Sequence, residues 1–173
     1  MAISLYDATV AGFLQILGAA EGVLAKGRAH CEASGIDLAE VVEARLAPDM
    51  FPFRFQVTQI AHHTAGAIAG AKAGLFTPDP LSLTADYAEL QKIVADAHKA
   101  VVAATPDEIN ALEGKDVLFQ FGEMKMPFLA EGFLLSFSTP NLHFHAATTY
   151  DILRMKGVPL GKRDYMGRPR LKG

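Results

Sequence analysis

A chain of 173 residues, half of them apolar, can bury one sizeable core, and no linker-like stretch divides it, so a single domain over 1–173 is expected. Net charge is only −3, yet from Arg154 onward seven Lys or Arg face one acid, Asp164, leaving about −9 on the other 153 residues. A basic end folded back on an acidic body is expected rather than a nucleic-acid-binding arm, because Tyr165 is its only stacking aromatic.

A lone cysteine, Cys31, excludes an internal disulfide and a CxxC redox pair. The N-terminus lacks a basic segment ahead of its apolar part, and no run of about eighteen apolar residues is free of charge; no signal peptide, membrane contact or membrane span is expected, and a cytoplasmic location is.

In chain order, Leu5, Val10, Phe13, Leu14, Leu17, Val23 and Leu24 recur at helical intervals and predict a first helix from 5 to about 33, closed by Gly35. Asp37 followed by Glu40 resembles a capping box and opens a short helix to about 46. Pro48 and Pro52 break the chain there, with Pro52 suited to the first turn of the next helix and Asp49 placed to cap it.

That second long helix, 53 to 73, sets Phe53, Val57, Ile60, Thr64, Ala67, Ile68 and Ala71 on one arc, with His63 at its edge beside Gln56 and Gln59, and His62 nearly opposite its centre. Gly66, Gly70 and Gly74 each cost helix propensity, about 1 kcal/mol against Ala, which implies close approach by another helix. A loop over 75–83 leads to Thr84, the expected cap of a third helix reaching about 104 with His98 on its surface. Thr105-Pro106-Asp107-Glu108 is a capping box that starts a short helix ending near 113, before Gly114. Between 115 and 128 the period changes to two, and Gly122-Glu123 reads as the turn of a small β-hairpin packed on the helices as a flap.

The last helix, about 129 to 156, places Ser138, Asn141, His145 and Thr149 within about 80° of one another on an otherwise apolar face. Pro140 should kink it between 137 and 141, free carbonyls near 136, and let Thr139 cap a restarted helix. A polar stripe inside a buried helix either bonds to its neighbours or lines a pocket between helices. The candidate ligand pocket is Gln56, His63, Asn141, His145 and Thr149; no catalytic residue is assigned, for no phosphate-cradling glycine loop, nucleophile elbow or Cys/His dyad occurs.

Four long helices, the flap and the last-helix histidine resemble the DinB/YfiT-like superfamily of four-helix-bundle metalloenzymes. More closely, Arg45-Leu46-Ala47-Pro48-Asp49-Met50-Phe51-Pro52, Pro140-Asn141 with His145, and the run from Gly157 through Pro159 and Gly161 to Tyr165 resemble a bacterial domain-of-unknown-function family (number nineteen ninety-three) within it. The resemblance implies a mainly α fold, a DinB/YfiT-like four-helix bundle with short connecting helices and a small β-hairpin. It also implies a divalent metal held by one histidine of the second helix and two spaced i, i+4 on the last, used in some members for thiol-dependent transfer.

Here the second-helix ligand falls on His63 or His62, but Asn141 and Thr149 stand four residues either side of His145, and His143 points about 200° away from it. Amide and hydroxyl oxygens are poor substitutes for imidazole toward zinc-like ions, so no metal or other cofactor is expected. The alternative is an enzyme with Zn, Ni or Fe on His63, His145 and His143. The expected partners are a small polar ligand and a second copy in a homodimer.

Overall fold

The computed structural model describes residues 3–78 and 84–172, and within them the chain is mainly helical with a small three-stranded sheet. The first helix breaks once. Ser4 Oγ accepts the Asp7 N–H at the start of α1 (Leu5–Ala8), and at Thr9 the backbone leaves helical geometry while its Oγ1 donates to the Leu5 carbonyl at 2.6 Å. α2 (Val10–Ser34) then runs to Gly35, whose φ of 68° gives the left-handed cap expected there. By length and composition Leu5–Ser34 is apolar enough to cross a bilayer; its buried face, with Phe13, Leu17 and Leu24, packs against the other long helices.

α3 (Leu38–Glu43) is shorter than expected and is capped by Asp37 Oδ1, which accepts the Ala39 N–H at 2.8 Å. Asp49 does not cap the next helix. It sits in a turn closed by the Met50 N–H on the Ala47 carbonyl, and Pro52 itself occupies the cap position of α4 (Phe53–Ala61) in extended conformation. The two prolines hold the turn clear of the helix end, too far back for the Asp49 side chain to cap it.

α4 continues without a break through a π-helical turn, π1 (His62–Gly66), into α5 (Ala67–Ala73), which Gly74 closes at φ 72°. The expected helix contact at the glycines is not what Gly70 serves. A Cβ there would stand 2.8 Å from Phe76 Cδ2 and 3.2 Å from the Leu75 carbonyl, so Gly70 admits the following strand rather than a helix.

That strand, β1 (Leu75–Phe76), lies inside the expected loop, whose residues 79–83 fall outside the described ones. It pairs in parallel with β2 (Asp116–Phe121), Phe76 opposite Phe119, and β2 pairs antiparallel with β3 (Met124–Leu129), Phe121 opposite Met124. Gly122, at φ 58° and first in the two-residue turn, suits a II′ hairpin. Val117 and Phe119 point into the core, while Phe121 at the tip is exposed.

α6 (Tyr87–Val102) starts later than expected, because Asp86 rather than Thr84 caps it in a reciprocal capping box with Glu89. α7 (Pro106–Asn110) has the expected box, Thr105 with Glu108, and Pro106 in its first turn. α2, α6, α4 and α9 (Thr139–Met155) close the packing into a ring of four around Phe53, Ile60, Leu90, Phe133 and Leu153.

The last helix starts at α8 (Ala130–Gly132) and reaches α9 through a second π turn, π2 (Phe133–Ser138). Pro140 therefore does not restart it: Ser138 and Thr139 keep helical angles, and Thr139 caps nothing. The widened turn makes room for the proline ring and absorbs the missing N–H. Thr139 Oγ1 donates to the Leu134 carbonyl at 2.8 Å and Asn141 Nδ2 to the Phe137 carbonyl at 2.8 Å, so side chains of the same helix take up carbonyls in this turn.

The basic end folds back on the body as expected, held there by Val158 and Leu160, which are buried, while Pro159 between them is exposed. Its charges do not meet the body as expected. In α10 (Lys162–Met166) Lys162 and Arg163 face solvent with no ion pair among the described residues; the tail's one acid, Asp164, meets Lys26 of α2 at 2.6 Å. Asp164 Oδ2 also accepts the Gly161 N–H at 2.7 Å, which fixes the acid on the face toward α2 and turns the cations outward.

Candidate functional site

Three of the expected pocket residues come together where α4 and π1 face α9. Gln56 of α4 puts Oε1 2.8 Å from His145 Nδ1, and its Nε2 donates to the Phe51 carbonyl at 2.9 Å. The His63 ring stacks on the His145 ring, centroids 5.8 Å apart and planes 12° from parallel. All three side chains are buried. Phe55 and Phe144 set their ring edges against His145, and Phe76 and Phe137 flank His63, so the imidazoles stand in an aromatic enclosure.

The π turn explains why two consecutive histidines share this enclosure. An ordinary helix separates neighbours by about 100°; here the widened turn leaves the His62 and His63 centroids 5.4 Å apart, with His62 stacked on Phe76 at 4.3 Å. Gly66 makes this placement fit, since a Cβ there would lie 3.1 Å from His62 Nδ1.

Burial disfavours the charged form of both inner rings. It lowers His63 to a pKa of about 3, with His62 and then His145 adding repulsion, and His145 to about 4, with His62 adding to it. Both are neutral at pH 7, each carrying one N–H and one lone pair. Polar capacity is left over as well: His63 Nδ1 and Ser138 Oγ are buried with no protein partner.

The other expected residues lie elsewhere. Asn141 turns back on its own helix toward Phe137, as above. Thr149 Oγ1 is buried without a protein partner and lines a separate cavity of about 10 Å³ with Ile60, Ala146 and Tyr165, room for about one water. His143 is exposed, its Nδ1 3.0 Å from Tyr165 Oη.

Of the three histidines of the metal alternative, His63 and His145 stand together with their rings parallel, and His143 faces the tail apart from them. The aromatic enclosure and the bond from Gln56 to the Phe51 carbonyl are not apparent in the sequence. The only pointer to them is Met50-Phe51-Pro52, which fixes the chain entering α4.

Comparison with solved structures finds a DinB family member protein from Shewanella denitrificans, 25% identical, superposing with a TM-score of 0.77 over 98% of this chain and 95% of that one. No curated protein matches. Residues 5–166 match the family described as Domain of unknown function (DUF1993). With the four packed helices, the flap and the last-helix histidine already placed, the chain belongs to that family, within the DinB-like superfamily.

Proposed function

We propose that this protein is a binding protein whose Gln56, His63 and His145 cluster receives a small polar ligand without a metal. The observation that carries the reading is His63 Nδ1, buried beside a neutral imidazole with no protein partner. A buried polar atom left unpaired costs about 1–3 kcal/mol, and a ligand with a matching group recovers it. Native mass spectrometry of the chain purified without added metal, paired with elemental analysis, tests this. The expected result is a retained organic mass, lost in His145→Leu, with no stoichiometric metal.

The second reading is a divalent-metal enzyme of the DinB type, including thiol-dependent transferases. Two neutral imidazoles in contact favour it, because the neutral ring is the ligating form. About one zinc, nickel or iron per chain, removed by a chelator or by His145→Gln, would put this reading first. A homodimer accompanies the main proposal, supported by Phe144 and Met155, three turns apart on an exposed face of α9. Light scattering on the eluting protein measures its mass.

A further inference from the structure

The Gln56 amide has only one orientation that satisfies both of its contacts. A backbone carbonyl can only accept, so the group 2.9 Å from the Phe51 oxygen must be the NH2, which places Oε1 toward His145. Oε1 in turn can only accept, so the atom 2.8 Å from it, His145 Nδ1, must carry the ring proton.

The anchor of this relay is itself held. Phe51 precedes Pro52, which confines it to extended backbone, and its ring stacks on Phe55 at 4.2 Å. A neutral imidazole protonated on Nδ1 carries its lone pair on Nε2, pointing away from Gln56. The tautomer of a histidine is set by the hydrogen bond that its other nitrogen makes.

We propose that Gln56 is a positioning residue that holds His145 as its Nδ1–H tautomer, so that the site offers Nε2 as an acceptor and selects a small neutral molecule bearing an O–H or N–H donor. The ligand class rests on the reading of the cluster as a binding site; the tautomer does not. It follows from two hydrogen bonds and the rule that a carbonyl cannot donate. Molecules that only accept hydrogen bonds gain nothing at Nε2, and the phenylalanine rings that flank the imidazoles among the described residues carry no charge to meet a charged ligand.

The experiment uses the full chain with 15N-labelled histidine and long-range 1H–15N spectra at pH 7, which read the proton on each ring nitrogen. The expected His145 signals are a protonated Nδ1 and a bare Nε2. Formamide, which has N–H groups, should shift Nε2 to saturation, and N,N-dimethylformamide, which has none, should leave it in place. Gln56→Leu should move the proton to Nε2, and Gln56→Glu, whose carboxylate still accepts, should keep it on Nδ1.

A wild-type His145 protonated on Nε2 overturns the proposal with no variant required, and so does a folded Gln56→Leu protein with wild-type ring signals. Equal Nε2 shifts from the two amides overturn the donor selectivity. An Nδ1-protonated ring that responds to neither amide upholds the role of Gln56 and removes the binding-site reading, so the two failures are told apart.

Discussion

His63 and His145 bind no proton in the folded chain until well below the pH at which unfolded histidine does, about 3 and about 4 against 6.5. Above pH 6.5 neither state is protonated there and the full stability is present; as pH falls through 6.5 toward the folded values, the unfolded state takes up protons first and stability drops. Melting temperature should therefore fall between pH 7 and pH 4 more steeply in wild type than in a His63→Gln, His145→Gln double variant, which shares its carboxylates. Parallel curves would mean that the rings are not buried neutral. His145→Gln keeps a donor for Gln56 Oε1, whereas His145→Leu strands that buried oxygen at a cost of about 1–3 kcal/mol, measurable as a lower urea midpoint.

At the scale of the element, the capping residues separate cleanly. Asp86→Ala removes an acceptor from the Glu89 N–H and should cost about 0.5–2 kcal/mol, while Asp49→Ala touches no helix end and should cost little in the same denaturation assay. The glycines divide in the same way. Gly22→Ala on α2 meets nothing within 4 Å and should gain up to about 1 kcal/mol of helix propensity. Gly70→Ala forces a methyl against Phe76 and the Leu75 carbonyl and should lose about 1–3 kcal/mol despite the same propensity gain.

The sequence shows these elements unevenly. Long helices, the Thr105 box and the hairpin could be read because periodicity and capping chemistry are local. β1 could not, since two residues carry no period, and its place depends on pairing with a strand more than forty residues later. The π turns have no composition of their own and could not be read. The stripe drawn at about 100° per residue holds within α9, but it does not show that Asn141 spends its amide on the Phe137 carbonyl one turn back or that Thr149, one turn beyond His145, opens on a separate cavity.

For the whole molecule, the tail is held by apolar burial more than by its ions. The Lys26–Asp164 pair is solvent-exposed and contributes about 0–1 kcal/mol, whereas Leu160 and Val158 are buried against the helices. Leu160→Ala should cost about 2–5 kcal/mol and speed trypsin cleavage at Lys162 and Arg163, and high salt should speed it little in wild type. Rapid cleavage of wild type at high salt would assign the docking to charge. The two π turns also bear on how this architecture can diverge. Each accommodates one more residue than the α turn it replaces, so one codon lost within 62–66 or 133–138 would restore regular winding and leave everything downstream facing nearly as it does now. After the first turn Gly70 would still meet Phe76, and after the second His145 would still meet Gln56, whereas a codon lost from the regular winding of α9 ahead of His145 would turn that ring by about 100° with no amino acid exchanged.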